Sequence, residues 1–441
     1  MPIRIKTTLV LSRPADVALS KGTRHLTNLG IQVLSSAPSS ATVGTMRIVI
    51  VGNFGLNYKA TMSARAIPIA RELAQLGNSV TVLVPDDGAS PRPPRAISDT
   101  IRISELATPR LPSPLGHLWS GVHLTWRALR AQPDVLYAFK PKGYAGLALV
   151  VFWLLRHLGL MACTLVLDTD DWEGRGGWAD YEQRSWLERA LITIHERWCI
   201  QHSDLVTVAS RTLDQLVARW QSNVLYLPNA ASPASPGWHQ GDGRQIRTQL
   251  GLGEQPVIIA YTRFVEFSPS RLLETFEAIH QDLPSTHLLV IGKGLNGEEL
   301  SFRQLADERG LRDVVHVVGW IDPCDIPRYL AVASVAVYPL DDTLLNRTKC
   351  PMKLVDLLLA GVPVVADQVG QASEYVQEGT TGFLVCPGDV GALAERVVYL
   401  LRNESQRQAI GRAAREGILA RWTWRSQANL VQNALAKLGD G

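Results

Sequence analysis

Three cations precede a carboxylate in the C-terminal part of the chain, in the order Arg347, Lys349, Lys353 and Asp356. A helix is predicted to begin near Pro351, since proline is favoured in the first helical turn. Lys353 and Asp356 are three residues apart and would share one face of that helix. Cations at a helix N-terminus could neutralise a leaving diphosphate, and the carboxylate could accept hydrogen bonds from two ribose hydroxyls. A surface ion pair with solvated lysines is the alternative.

A second group of candidate residues follows two predicted strands nearer the middle of the chain. Arg263 follows one strand, and Ser268 and Pro269 are the expected N-cap and first residue of the next helix. A free helix N-terminus and a bidentate guanidinium both suit a diphosphate. Gly292 and Gly294 follow the next strand, where a base or phosphate could approach the backbone. Together these residues predict a donor-binding site.

An acidic loop follows the strand predicted at residues 164–167. It contains Asp170, Asp171, Trp172 and Glu173. Carboxylates accept hydrogen bonds from sugar hydroxyls and aromatic rings pack on sugar faces, so the loop is expected to contact a carbohydrate acceptor. Helix capping by the aspartates and binding of a divalent cation are the alternatives. No metal site is predicted.

Two further loops are expected at the same sheet edge. Residues 52–57 form a glycine-containing loop that lacks the third glycine of a dinucleotide fingerprint, so a nicotinamide site is not predicted. Gly55 and Asn57 are candidate acceptor contacts, with a plain strand-to-helix turn as the alternative. Lys140 follows another strand and could meet a phosphate or an anionic acceptor, or could simply be solvated.

Short apolar strands alternate with amphipathic helices, which predicts two parallel α/β units. The predicted division is an N-terminal extension at 1–45, an acceptor-binding domain at 46–228, a linker at 229–244, a donor-binding domain at 245–420 and a final helix at 421–441. The extension is poor in acids and could be a transit peptide, but a start site assigned too early, ahead of Met46, is the preferred interpretation. Residues 88–114, rich in Pro, Arg and Ser, are predicted to be a loop.

The composition is that of a globular protein, with 46% apolar and 19% charged residues. A net charge of +3 does not indicate a nucleic-acid binder, and five scattered cysteines without a CxxC pair favour a reduced, cytoplasmic protein. The most apolar run, 145–155, is too short to span a bilayer. It predicts a helix buried against a sheet, with peripheral membrane contact as the alternative because four aromatic residues cluster nearby: Trp119, Trp126, Phe152 and Trp153.

From Met46 onward the chain resembles the large retaining glycosyltransferase family 4, whose fold is GT-B. The likeness is strongest in the segment AGVPVVA, Gly370, Glu374 and TGFLVCPGD, within residues 354–389. The resemblance implies two Rossmann-like domains facing a central cleft, a nucleotide-sugar co-substrate, no cofactor or metal, and a sugar or lipid-linked acceptor. It also implies that the last helix braces the N-domain.

The resemblance also assigns residues. Arg263 would hold the donor diphosphate, Gly294 would lie near the nucleotide, and Asp356 would match the second acid of the family's EX7E pattern. Thr348 stands where that pattern has its first Glu, and Ser268 stands where the family often has a Lys.

The catalytic set expected here is Arg263, Asp356, Lys353 and Asp170, the last because no active-site histidine is evident in the N-domain and Lys140 or Asp170 could occupy that region. Because Thr348 and Ser268 differ from the family pattern, two alternatives to a glycosyltransferase stay open. One is a non-catalytic binding protein on a decayed fold, and the other is a nucleotide-sugar epimerase.

Overall fold

The structure is a computed structural model that describes residues 45–56, 61–86, 95–98, 100–107, 115–232 and 242–439. Asn57, nearly all of the N-terminal extension and most of the predicted linker lie outside these ranges.

The N-terminal half contains a sheet of eight strands. Their bounds are β1 Arg47–Val51, β2 Ser79–Pro85, β3 Arg95–Ser98, β4 Ile101–Leu106, β5 Val135–Phe139, β6 Thr164–Thr169, β7 Leu205–Val208 and β8 Val224–Tyr226. The spatial order is β3-β4-β2-β1-β5-β6-β7-β8. Only β3 runs antiparallel to its neighbour, β4; the other pairs are parallel.

Helices cover both faces of this sheet, as buried, continuously apolar parallel strands require. A π-helical turn, Thr61–Ala66, leads into the first of them; they are α1 Ile67–Gln75, α2 Leu115–Arg130, α3 Gly143–His157, α4 Trp178–Tyr181, α5 Trp186–His202 and α6 Arg211–Val217. Helix α1 packs on one face, whereas α2, α3 and α5 pack on the other.

The predicted loop at 88–114 is wrong in its middle part, because it contains β3 and β4. Ile101 and Ile103 alternate with exposed Arg102, and both isoleucines are buried beside β2. This alternation outweighs the loop-like composition of the flanking residues.

The C-terminal half contains a second sheet, whose strands are β9 Val257–Tyr261, β10 His287–Ile291, β11 Val315–Gly319, β12 Val335–Tyr338, β13 Val364–Asp367 and β14 Gly382–Val385. All neighbouring pairs are parallel, in the order β11-β10-β9-β12-β13-β14. Its helices are α7 Arg244–Leu250, α8 Pro269–Asp282, α9 Glu298–Glu308, α10 Ile326–Leu330, α11 Leu344–Thr348, α12 Met352–Leu359, α13 Ala372–Tyr375, α14 Val390–Arg402 and α15 Glu404–Arg421.

Each sheet has one point where the strand order reverses. These points lie between β1 and β5 in the first sheet and between β9 and β12 in the second. Ligands of doubly wound sheets bind beyond the carboxyl ends of the strands at such points. The loops that carry the candidate residues leave β1, β5 and β6 in the first sheet and β9, β10 and β12 in the second, so the topology places them at the ligand-binding edges.

The chain returns to its N-terminal half at the end. Ala231 bonds with both Trp422 and Trp424 through backbone groups, at 2.8 and 3.2 Å. The last helix, α16 Trp424–Gly439, then packs on α1. Since Val431 and Leu435 are buried in the same core as β1, this helix adds to the core of the N-terminal half.

The apolar run at 145–155 lies within α3, and Phe152 is buried against the sheet, as predicted. Among the described residues, no helix combines the length and apolar character needed to cross a bilayer.

Candidate active site

A cleft with a volume of about 1070 Å³, partly open to solvent, lies between the two halves. Loops from both halves line it. Its polar lining residues include Thr61, Arg65, Lys140, Lys142, Asp170, Asp171, Glu173, Asn229, Arg263, Glu266, Asn346, Lys349, Lys353 and Gln371.

Three cations of the C-terminal half lie together in this cleft: Arg263, Lys349 and Lys353. In the described part of the chain, the side chains of Arg263 and Lys353 form no ion pair and no hydrogen bond. Instead, the Arg263 guanidinium lies 5.9 Å from the ring centre of Trp178 and Lys353 Nζ lies 5.3 Å from that of Tyr261. Two half-buried cations with no carboxylate at ion-pair distance are suited to bind an anion.

The backbone adds to this positive charge. Helix α12 begins at Met352, with Pro351 at its N-cap, and both residues line the cleft. The first N–H groups of a helix have no partner within the helix, and the helix dipole places partial positive charge there. The N-terminus of α12 therefore faces the same space as Lys353.

Lys353 and Asp356 share a face of α12 but do not form the surface ion pair considered from their spacing. Burial lowers the pKa of Lys353 to about 8, with Arg263 and Lys349 adding to the effect and Glu266 opposing it. Burial raises the pKa of Asp356 to about 7, and Lys353 only partly reverses this. Both groups therefore titrate near neutral pH.

Glu266 is a site residue that sequence reasoning missed. It lies in the loop between Arg263 and α8, and its Oε1 is 3.3 Å from Lys349 Nζ. Burial alone would raise the pKa of Glu266, but Lys349, Lys353 and Arg263 outweigh it and lower this pKa to about 2. Its Oε2 is buried and has no hydrogen-bond partner. Since a single Glu in a loop is ordinary, no sequence signal identified it.

Thr348, at the position of the family's first Glu, does not line the cleft. It is buried, and its Oγ1 donates to the Leu345 carbonyl at 3.0 Å, while its own carbonyl accepts from Ser210 Oγ at 2.7 Å. Asn346 and Lys349, on either side of Thr348 in sequence, line the cleft instead. At the position where the family pattern has its first Glu, this chain therefore has a buried threonine that packs in the core.

Four residues predicted to bind the donor do not line the cleft: Arg347, Ser268, Gly292 and Gly294. Arg347 is exposed and bonds Asp342 at 2.5 and 2.6 Å. Ser268 is the N-cap of α8, with Pro269 following, as predicted. The donor-binding roles of both Arg347 and Ser268 remain predictions.

The two glycines after β10 have local structural roles. Gly292 has a φ of +116°, and a Cβ there would lie 1.8 Å from the Thr262 carbonyl oxygen, so no other residue fits. The N–H of Gly294 donates to Glu299 Oε2 at 2.9 Å. Their predicted place beside a nucleotide is not tested by these contacts.

The predicted acidic loop surrounds Lys140 on the opposite wall. Lys140 Nζ lies 2.9 Å from Asp170 Oδ1, 3.0 Å from Asp171 Oδ2 and 2.9 Å from Glu173 Oε1. Lys140 is buried, and although burial lowers its pKa, the three carboxylates raise it well above the ordinary value. Lys140 is therefore not the solvated lysine considered as the alternative. Lys142 adds a second contact to Glu173.

Other side chains orient the two aspartates. Thr61 Oγ1 donates to Asp170 Oδ2 at 3.0 Å, and Trp178 Nε1 donates to Asp171 Oδ2 at 3.0 Å. Burial raises the pKa of Asp170 despite Lys140, whereas Lys140 and Lys349 overcome burial and lower the pKa of Asp171. Because Lys349 belongs to the other half, the acidic loop and the cationic group act on each other across the cleft.

Trp172 and Gly55 do not line the cleft. Trp172 is buried in the core, stacks on Trp220 at 5.9 Å and donates from Nε1 to the Arg175 carbonyl at 2.8 Å. Trp178, and not Trp172, contributes an indole ring to the cleft. The acceptor roles predicted for Trp172 and Gly55 stay predictions, and Asn57 lies outside the described residues.

Arg65 is a second cleft residue that the sequence did not reveal. It is buried and bonds Asp168 with two nitrogens, at 2.8 and 2.7 Å, and Asn229 Oδ1 at 3.1 Å. Asn229 in turn donates to the Cys350 carbonyl at 2.6 Å. This chain of contacts links the floor of the cleft in the N-terminal half to the segment that leads into α12.

No histidine lines the cleft among the described residues. The same residues contain no group of three or more His, Cys, Asp or Glu side chains arranged to hold a metal ion.

Comparison with known families matches both halves. Residues 61–230 match the glycosyl transferase 4-like domain, and residues 255–403 match the glycosyl transferases group 1 family. A GDP-mannose-dependent alpha-(1-6)-phosphatidylinositol monomannoside mannosyltransferase of Mycobacterium tuberculosis is 30% identical over 199 residues, covering 44% of this chain and 49% of that protein. The sulfoquinovosyl transferase of Arabidopsis thaliana is 26% identical over 258 residues, covering 56% and 47%. The chain thus spans about half the length of the curated relatives it matches.

Solved structures share the fold. The sucrose-phosphate synthase of Thermosynechococcus elongatus superposes with a TM-score of 0.68 at 19% identity, covering 90% of this chain and 99% of the other. Anabaena HepE, in complex with UDP and glucose, gives 0.66 at 19% identity, covering 89% and 99%. With both halves matched to the same kind of enzyme, the chain belongs to the group 1 (family 4) glycosyltransferases of the GT-B fold.

Proposed function

We propose that this protein transfers a sugar from a nucleotide-sugar donor to an acceptor, with retention of the anomeric configuration. The observation that carries the proposal is the pair of cations with no carboxylate at ion-pair distance, Arg263 and Lys353, beside the N-terminus of α12. A diphosphate fits this arrangement, because helix N-termini and fixed cations both bind phosphate groups.

The chemistry follows from where charge develops. When the bond between the sugar and the diphosphate breaks, negative charge gathers on the leaving phosphate while the sugar becomes oxocarbenium-like. Arg263, Lys349 and Lys353 stabilise that charge more strongly in the transition state than in the ground state, which lowers the barrier. The leaving phosphate oxygen accepts the proton of the attacking hydroxyl, so the step needs no separate protein base.

Carboxylates on both walls would hold the sugar. Glu266 Oε2 on one side and Asp170 and Asp171 on the other offer acceptor oxygens to hydroxyl groups. Closure of the two halves would exclude water, whose attack would hydrolyse the donor. Asp356 would bind ribose hydroxyls, as the family pattern implies.

We further propose that no metal or cofactor takes part, because the three cleft cations supply the charge that a divalent ion would otherwise provide. Turnover should then be the same with and without EDTA. A loss of activity that Mg²⁺ or Mn²⁺ restores would contradict this part of the proposal.

The acceptor is proposed to be lipid-linked and reached by peripheral contact with a membrane. Several relatives are mannosyltransferases named for phosphatidylinositol or its monomannoside. The aromatic segments before and within α3 support the same choice, since Trp119 and Trp126 are exposed.

The deciding experiment is a thermal-shift panel of UDP, GDP, ADP and their sugar conjugates. A nucleotide present at 100 times its dissociation constant adds about 2.7 kcal/mol to the folded state, which is readily measured. A selective shift for one nucleotide, lost in Arg263→Ala and kept in the exposed control Arg412→Ala, is the expected result. No shift with any nucleotide would contradict the donor site.

A non-catalytic binding protein is the second candidate, since Thr348 replaces the family's first Glu and packs away from the cleft. Slow hydrolysis of the bound donor without acceptor separates the two, because a transferase activates the donor and a simple binder does not. Binding without any turnover would favour the second candidate.

A further inference from the structure

Many large apolar side chains are exposed on three neighbouring helices of the N-terminal half. On α2, five side chains follow helical spacing and are between 44 and 60% exposed: Leu115, Leu118, Trp119, Val122 and Trp126. The opposite side of α2 carries the buried residues, so this stripe faces outward.

Two neighbouring helices extend the surface. Helix α2 packs on α3, and α3 packs on α5. The end of α3 and the residues after it contribute exposed Leu154, Leu158 and Leu160, and α5 contributes Trp186, Leu187, Leu191 and Ile194. We call these side chains, with the stripe on α2, the outer apolar face. Large exposed apolar patches of this kind mark protein or membrane contacts.

The charges around this face favour an anionic partner. Helices α2 and α3 contain no Asp or Glu, and the exposed acid of α5, Glu188, lies 3.8 Å from Arg184. Arg127 and Arg130 are exposed in the last turn of α2 and form no ion pair within the described residues. The Arg130 guanidinium lies 4.2 Å from the ring centre of Trp126, so a cation and an indole are presented together.

We propose that the outer apolar face docks on the surface of a bilayer that contains anionic phospholipids. Tryptophan and leucine on one side of a helix, with arginine beside them, are the composition of helices that lie in a membrane interface. Arginine extends its charged end to the headgroups while its aliphatic part stays with apolar neighbours. The inference builds on the proposed lipid-linked acceptor, but it concerns binding alone and names the surface and the lipid charge.

The test measures binding of the full chain to phosphatidylcholine vesicles with and without phosphatidylglycerol, by cosedimentation. The double variant Trp119→Ser/Val122→Ser should bind at least about tenfold more weakly, because it removes two large apolar side chains from the contact. Since both residues are exposed, circular dichroism and the melting temperature should be unchanged. Leu300→Ser/Trp320→Ser, at exposed positions in the C-terminal half, is the matched control and should bind normally.

A second pair of substitutions tests whether the positive charge of Arg127 and Arg130 contributes to vesicle binding. Replacing Arg127 and Arg130 by Gln should weaken binding to the anionic vesicles by about fivefold for each charge and leave binding to neutral vesicles little changed. Absence of vesicle binding by the wild-type chain would overturn the inference. So would equal losses in the control, or a dimer in analytical ultracentrifugation that the Trp119→Ser/Val122→Ser variant abolishes, since the face would then bind a second copy. The nucleotide shifts are measured without lipid, so they can succeed when vesicle binding fails.

Discussion

Glu266 Oε1 lies 3.3 Å from Lys349 Nζ, and this ion pair joins the loop after β9 to the segment before α12. Burial lowers the pKa of Lys353 to about 8, and Glu266 is the neighbour that most opposes this shift. One carboxylate therefore helps keep Lys353 protonated in the cleft.

Glu266→Gln should shift the alkaline limb of kcat/KM to lower pH. Without the carboxylate, Lys353 loses a favourable neighbour, and its pKa falls below about 8. The affinity for a nucleoside diphosphate at pH 6, where Lys353 stays protonated, should rise because a negative charge has left the site. Glu274→Gln, at an exposed position on α8, is the control. An unchanged pH profile would show that Glu266 does not act on Lys353.

Arg263→Ala should lower kcat/KM about 100-fold or more, the usual range for losing one preorganised group that stabilises transition-state charge. Arg263→Lys should fall in between, since an ammonium keeps the charge but loses the bidentate fork. Arg412→Ala, at an exposed position on α15, is the control. Steady-state kinetics with the donor identified by thermal shift provide the measurement. Near-normal rates in Arg263→Ala would exclude its assigned role.

The dependence of kcat/KM on pH should be bell-shaped, because this quantity reports groups of the free enzyme. Asp356, with a pKa of about 7, carries its charge only above that pH, so ribose binding weakens as the pH falls through 7. Lys353, with a pKa of about 8, carries its charge only below that pH, so diphosphate binding weakens as the pH rises through 8. The maximum should lie between the two values.

Two variants test which residue causes the acid limb and which causes the alkaline limb of the kcat/KM profile. Lys353→Arg should remove the alkaline limb, since a guanidinium stays charged at every accessible pH. Asp356→Asn should remove the acid limb. If both limbs persisted in the two variants, the titrating groups would lie elsewhere.

Several residues that line the cleft could be chosen from the sequence because they follow the ends of strands. Lys140, the acidic loop and Arg263 each follow a parallel strand, and the carboxyl ends of such strands meet at one edge. Lys353 was found because a predicted helix N-terminus followed β12. These assignments needed only the alternation of strands and helices.

Side-chain direction could not be read in the same way. Arg347 and Lys349 are two residues apart, yet only Lys349 lines the cleft, because α11 ends at Thr348 and the chain then turns toward α12. Glu266 and Arg65 act through partners more than 80 residues away in sequence, such as Lys349 and Asp168. Such pairings depend on how the loops and halves pack, which one sequence does not reveal.

Lys140→Met should destabilise the N-terminal half strongly. Lys140 compensates the charge of three buried or half-buried carboxylates, Asp170, Asp171 and Glu173. Removing it leaves both aspartates without an ion pair, although Lys142 still contacts Glu173 and Lys349 still acts on Asp171 from across the cleft. Breaking a buried ion pair by removing one partner costs roughly 3 to 5 kcal/mol, far more than a surface pair. The melting temperature by circular dichroism is the measurement, and Lys293→Met, in an exposed loop, is the control.

A second substitution shows whether charge causes the loss. In Lys140→Met/Asp171→Asn, one of the uncompensated carboxylates becomes neutral, so part of the lost melting temperature should return, and the two changes should not be additive. If the double variant melted at the sum of the two single losses, the effect of Lys140 would come from the packing of its side chain, and the acidic loop would not depend on its charge.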